Sequence, residues 1–235
     1  MSDGIPTPDE ALRGFSGEVR LFPLPNLAMF PHVLQPLHIF EPRYREMVRE
    51  ALQSDRLIAM VLLREGWEDD YEGNPPVHST ACLGHIVADR QLEDGRYHIV
   101  LRGLARVRIL EERPAAAPFR VARVELVDEV EPDASSRAVQ AMRDRLIQAF
   151  RGWLPQGSQA AQRFADLLDP TMPLGVLTDV IAYTIRLDVE RKQPLLAEAD
   201  VRRRAEQLLA CLRDLPPLEE TGARRRDFPP EFSEN

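Results

Sequence analysis

The sequence of 235 residues predicts an α+β protein: a mostly antiparallel β-sheet that carries one helix and curls towards a barrel, followed by a helical bundle. Three observations predict it. Apolar residues in the first half recur with period two or in short continuous runs, as strands require. From about Glu131 onward the period is helical. Between Val19 and Arg45, five prolines (Pro23, Pro25, Pro31, Pro36 and Pro42) stand among Phe22, Leu24, Leu27, Phe30, Leu37 and Phe40. Because proline fixes φ and removes a backbone donor, this apolar stretch is neither a continuous helix nor a central strand. It must cross a core as short extended pieces joined at corners.

The elements follow in order. Residues 1–17 are polar, with Gly and Pro, and read as a flexible lead-in. Val19 to Phe22 and Pro36 to Phe40 read as strands, and Pro42 to Ser54 as a helix with proline in its first turn. Tyr44, Met47, Val48, Ala51 and Leu52 make one apolar stripe on that helix. Leu57 to Leu63 is a buried strand, and Arg64 to Thr80 is an acidic surface loop bearing Trp67 and Tyr71. Ala81 to Arg90 and Tyr97 to Leu110 flank a Glu93-Asp94-Gly95 hairpin signal. Gly103 in mid-strand marks a bulge or a close backbone approach. Phe119 to Val127 is a further strand. Helices follow: one carrying Val139, Met142, Leu146, Ile147, Phe150 and Trp153 on one face, a short one over Ala160 to Leu168, a nearly all-apolar one over Leu174 to Leu187, and an amphipathic one over Asp200 to Leu212. The tail after Pro216-Pro217 is charged and Pro-rich, a disordered composition. The expected divisions are 1–17, 18–130, 131–214 and 215–235.

A net charge of −8 gives no whole-chain attraction to nucleic acid or to an anionic membrane. Two cysteines, Cys82 and Cys211, and a start without a basic-then-apolar leader indicate a reducing cytoplasm, no disulfide and no export. No apolar run approaches the ~20 residues that span a bilayer. Among 30 basic residues, Lys192 is the sole lysine, so chemistry that needs an amine has one candidate.

That candidate fits no active site by pattern. A phosphate loop needs a glycine-rich turn leading into Lys-Ser/Thr, whereas Lys192 is followed by Gln193. Its polar setting, DVERKQ, reads as solvated. His78, Cys82 and His85 make a poor metal set, because Cys82 and His85 lie on opposite faces of a strand. No catalytic residue, metal or cofactor is expected.

Four segments resemble the amino-terminal, substrate-binding domain of Lon proteases in a stand-alone form. These are Phe22 to Val48 with its Phe30-Pro31 and Pro36-Leu37 core, Leu83 to Glu111 with Gly103, Arg106 and Val107, the strand Phe119 to Val127, and Leu174 to Leu212 with its Lys192 to Leu196 step. One departure is His32, where the family usually has glycine; a different backbone angle is expected there. The resemblance implies a PUA-like barrel followed by helices, without the ATPase and peptidase modules, and hence no enzyme.

It further implies a non-catalytic module for unfolded or degradation-marked polypeptides, which needs apolar and aromatic groups accessible in a groove. Phe30, His32, Phe40, Tyr44, Trp67 and Tyr71 are the candidates, with core packing the competing reading for Phe30, Phe40 and Tyr44. A separate protease is a further candidate partner, self-association through the helices another, and Arg224, Arg225 and Arg226 a candidate docking motif. RNA binding is the alternative: Arg102, Arg106 and Arg108 share a strand face able to meet phosphates. The acidic total disfavours it.

Overall fold

The computed structural model describes residues 6–70, 73–114, 117–155, 168 and 171–218. Tyr71, the tail arginines and, Leu168 apart, the helix expected from Ala160 lie outside the described residues. The chain divides into two compact units, Met1–Asp128 with Arg186–Ala197, and Glu129–Ile185 with Glu198–Asn235. In chain order the elements are α1 (Pro8–Ala11), β1 (Glu18–Leu24), β2 (Leu34–Ile39), α2 (Pro42–Leu52), β3 (Leu57–Leu62), a 3-10 turn (Trp67–Asp70), β4 (Thr80–Gln91), β5 (Tyr97–Glu112), β6 (Arg120–Leu126), α3 (Arg137–Trp153), α4 (Leu174–Thr184), α5 (Val189–Ala197) and α6 (Val201–Asp214). Among the described residues no helix is long and apolar enough to cross a membrane.

In the first unit the strand order is β2-β5-β4-β3-β1-β6, and β5 also pairs with β6. The five strands β5-β4-β3-β1-β6 therefore close into a barrel, and β2 is an added edge strand. Every pairing is antiparallel except β1 with β3, which the chain joins by crossing over through β2 and α2. The inner side chains, among them Val19, Leu21, Ala59, Val61, Leu83, Leu104, Val107, Ala122 and Val124, form one apolar cluster. On α2 the predicted stripe is buried at Tyr44, Met47, Val48 and Ala51. Arg20 on β1 clamps the end of that helix, with Nε 3.0 Å from Glu50 and Nη1 2.7 Å from Asp55.

The long strand β5 has two partners on one side in succession. Tyr97 to Arg102 pair with β2, and Val107 to Glu112 pair with β6. The handover falls at Gly103, beside a register shift against β4 between Leu83 and Gly84. There the Pro-rich corner crosses the strand. The Gly103 N–H donates to the Val33 carbonyl at 2.9 Å, and its carbonyl accepts from the His32 N–H at 2.9 Å. A Cβ at Gly103 would stand 2.2 Å from the Phe30 carbonyl oxygen, closer than packed atoms come. His32 turns the corner at φ 66°, the left-handed region that glycine enters freely and other residues enter at a cost of about 1–2 kcal/mol. Histidine thus occupies a glycine-type turn.

Two segments differ from the sequence expectation. Residues 6–17, read as a flexible lead-in, carry α1, whose Thr7 and Glu10 satisfy each other's backbone in a capping box. Ala11, Leu12 and Phe15 pack on the barrel's inner cluster. The second is α5, which the sequence concealed because Pro194 lies inside it. It belongs to the sheet unit: Gln193 Nε2 donates to the Thr80 carbonyl at 3.0 Å, and the buried Arg106 donates from Nε to the Leu196 carbonyl at 2.8 Å.

The second unit packs α3, α4 and α6 through Leu146, Phe150, Trp153, Leu177, Ile181, Leu208 and Leu212, all buried. Arg204 lies fully inside it. Its guanidinium stands 2.7 Å from Glu129 and 3.4 Å from the buried Asp179, and donates to Thr178 Oγ1 at 3.1 Å and the Glu198 carbonyl at 2.7 Å. Arginine, always charged and forked, suits such a site where lysine would not.

Two variants check these constraints. Gly103→Ala is expected to lower unfolding free energy by about 2–3 kcal/mol in denaturant titration, since the obstructing atom is backbone and cannot rotate away. Arg204→Leu takes the guanidinium away from the buried Asp179 and from Glu129 and is expected to cost about 3–5 kcal/mol; a loss below about 1 kcal/mol would contradict that role.

Candidate functional site

The edge strand β2 builds an accessible apolar surface on the sheet unit. Its burial alternates: Leu37 and Ile39 face inward, while Leu34, Pro36, His38 and Phe40 share the other side and remain wholly or partly open. Leu34 is 53% exposed and Phe40 39%, values high enough to offer contact area. Pairing extends this face across the sheet. Leu34 lies opposite Arg102, Pro36 opposite Val100 and His38 opposite His98 on β5. Val100 and His98 lie in turn opposite Ala88 and Arg90 on β4. An apolar strip of Leu34, Pro36, Val100, Phe40 and Ala88 is thus bordered by arginines.

The proline decides how the edge presents itself. Pro36 has no N–H, so its backbone must point away from β5, as edge prolines do. By alternation, Leu34 and His38 also direct their backbone groups outward. The Pro36 carbonyl accepts from Gln35 Nε2 at 2.8 Å, which blunts the middle of the edge against indiscriminate strand pairing. The same parity makes His38 and His98 a close, non-hydrogen-bonded pair, with ring centroids 4.9 Å apart and Phe40 5.9 Å from His38. Burial, and then the neighbouring His98 and Arg96, hold the His38 imidazole below its ordinary pKa. The lowered pKa favours the neutral imidazole, which keeps charge off the strip.

The six predicted site residues separate. Phe40 and the exposed His32 are on the surface, and Trp67 is half-buried in its 3-10 turn. Phe30 has no exposure and Tyr44 only 4%. Phe30 lies under the Gly103 crossing, and Tyr44 faces Phe22 at 4.5 Å with Arg43 over its ring. Both are core side chains and offer no contact surface in this conformation. Sequence reasoning missed Leu34 and Val100. The signal was the period-two continuation of Phe40 back through Pro36, hidden because the strand was started at Pro36.

Two other readings change. Arg102, Arg106 and Arg108 do not form an accessible row: the irregularity after Gly103 takes Arg102 out of parity with the other two, and Arg106 is buried. Arg106 is 1% exposed, Arg102 donates to the Pro6 carbonyl at 3.0 Å, and Arg108 pairs with Glu125 at 2.6 Å. The row proposed for phosphates does not exist. Lys192, expected to be solvated, is half-buried on α5, and desolvation lowers its pKa to about 8.

A closed barrel with an open apolar edge face, followed by helices, defines a binding domain of the PUA-like type. The chain belongs to the Lon substrate-binding domain family: the model of the "ATP-dependent protease La (LON) substrate-binding domain" matches residues 18–214. Among full-length relatives, the Lon protease of Heliobacterium modesticaldum is 28% identical over 205 residues, which are 87% of this chain and 25% of that protein. Lon protease 2 of Myxococcus xanthus is 26% identical over 192 residues, 82% of this chain and 23% of that one. The chain thus spans about a quarter of the length of the curated relatives it matches. The N-terminal domain of the Mycobacterium avium complex Lon protease superposes with a TM-score of 0.67 at 18% identity, covering 84% of this chain and 98% of that one. The Lon N-terminal domain protein from Xanthomonas campestris gives 0.57 at 24% identity, covering 82% and 97%. These likenesses establish the fold.

With one lysine in the sequence, amine acylation reads its environment directly. Mass spectrometry of the Lys192 peptide across a pH series is expected to show a labelling midpoint near 8. A midpoint at the ordinary lysine value, about 10.4, would place the amine in water.

Proposed function

We propose that this chain is a polypeptide-recognition module that binds unfolded or degradation-marked protein segments through the open face of β2 and β5, without catalysing a reaction itself. The observation that carries this reading is the strip of Leu34, Pro36, Val100 and Phe40, left accessible on a rigid barrel and bordered by Arg90, Arg96 and Arg102. Unfolded chains display apolar side chains that folded proteins hide, and a preformed apolar face captures them at low ordering cost. The arginine border favours segments that also carry acidic residues. Family membership supports the same reading, since the matched region is a substrate-binding domain. Exposed His32 and half-buried Trp67 are candidate flanking contacts. A protease that receives the bound segment is the partner this function implies, and the cytoplasm is the compartment that fits free cysteines.

The test is calorimetric titration of reduced, carboxymethylated α-lactalbumin into the protein without nucleotide. The Leu34→Glu/Phe40→Glu double variant is expected to bind about tenfold or more weakly, with its melting temperature within a few degrees of the parent, because both side chains are already open to water. Unchanged affinity in a folded double variant would contradict the assignment of this face.

A further inference from the structure

The segment before β1 stands outside the family match, which begins at residue 18, yet it covers apolar surface. Ala11, Leu12 and Phe15 pack, partly buried, on the inner cluster of the barrel. That cluster includes Leu104, two residues along β5 from Arg102. Arg102 in turn lies opposite Leu34 on the open face and donates to the Pro6 carbonyl at 3.0 Å. Residues 6–17 thus reach from Arg102, at the Leu34 end of the strip, to the inner cluster of the barrel.

The covering segment is lightly held. Its helix has four residues, too few to persist alone in water. Among the described residues, its hydrogen bonds to the strands stand at its two ends: Arg102 to the Pro6 carbonyl at one, and the Glu18 N–H to Ser16 Oγ and the Val124 N–H to the Gly17 carbonyl at the other. Gly14 and Gly17 on either side of Phe15 have φ of 82° and 80°, joints that let the backbone swing with little steric resistance. The capping box of Thr7 and Glu10 is exposed and holds the helix to itself.

We propose that residues 6–17 are a resident, displaceable occupant of the polypeptide site: they fill its inner half with Leu12 and Phe15 and compete with incoming segments that carry apolar side chains in the same i, i+3 spacing. The inference rests on the polypeptide-binding reading and adds an inner subsite and its competitor. An occupant that is bound most of the time lowers apparent affinity by the fraction of time the site stands open.

The experiment compares the full chain with a chain lacking residues 1–15, using reduced, carboxymethylated α-lactalbumin as ligand and a synthetic peptide of residues 6–17 as competitor. The shortened chain is expected to bind the unfolded protein about tenfold more tightly, and the peptide to reverse that gain. Should the shortened chain fail to fold, the full-length Leu12→Ser/Phe15→Ser variant takes its place, with the barrel sequence intact and the same gain expected. Equal affinity of the full and altered chains, or a peptide that does not compete, overturns the inference. If the full chain binds and the Leu34→Glu/Phe40→Glu variant does not, that failure is confined to residues 6–17; absence of binding by every form overturns the polypeptide reading beneath it.

Discussion

The sheet unit turns on one close contact, the backbone of Phe30 to Val33 lying against Gly103. The His32 amide and the Val33 carbonyl are satisfied there by the strand the corner crosses, so the turn that leads into β2 is fixed against β5. Everything that follows depends on that crossing. It sets where β2 begins beside the first half of β5, and it leaves the second half of β5 free to take β6 and close the barrel. It also decides which apolar residues the corner buries: Phe30 beneath the crossing, Leu37 and Ile39 inward, Leu34 and Phe40 outward. The surface assigned to polypeptide binding is a by-product of the geometry that closes the fold.

Cations inside the two units are arginines, and each acts as a backbone or carboxylate organiser. Arg106 holds the end of α5 to the sheet unit, Arg20 holds the end of α2, and Arg204 gathers Glu129, Asp179 and Thr178 in the helical unit. A guanidinium stays charged when buried and offers several directed donors at once. Lys192, the single exception, responds to burial by a lowered pKa, the behaviour expected of an amine.

Much of the fold was legible in the sequence because local pattern and tertiary demand agreed. The stripe of Tyr44, Met47, Val48 and Ala51, the Asp94-Gly95 hairpin, the run Leu57 to Leu62 and the special role of Gly103 all followed from period or from proline and glycine chemistry. Where the signals were indirect, the reading failed. No helix was legible over Val189 to Ala197, where proline at 194 interrupts the local helical signal and contacts with the sheet unit hold the helix in place. The capping box of Thr7 and Glu10 was present but outweighed by the polar composition around it. Strand periodicity aligned Arg102, Arg106 and Arg108 on one face, but an irregularity in pairing, which periodicity cannot register, sets Arg102 apart, and packing buries Arg106. The site was the least legible part, because Phe30 and Phe40 have the same local chemistry, and only the crossing at Gly103 tells the buried one from the open one.

The central proposal is that the open face of β2 and β5 takes hold of unfolded polypeptide. Amide hydrogen exchange with and without reduced, carboxymethylated α-lactalbumin tests it most directly, since it reports where the chain is covered without altering a residue. The outward-facing amides of Leu34 and His38, and the neighbouring segment from Arg96 to Arg102, are predicted to slow on binding while the helical unit is unchanged. Slowing confined to other segments, or none at saturating ligand, would contradict the claim.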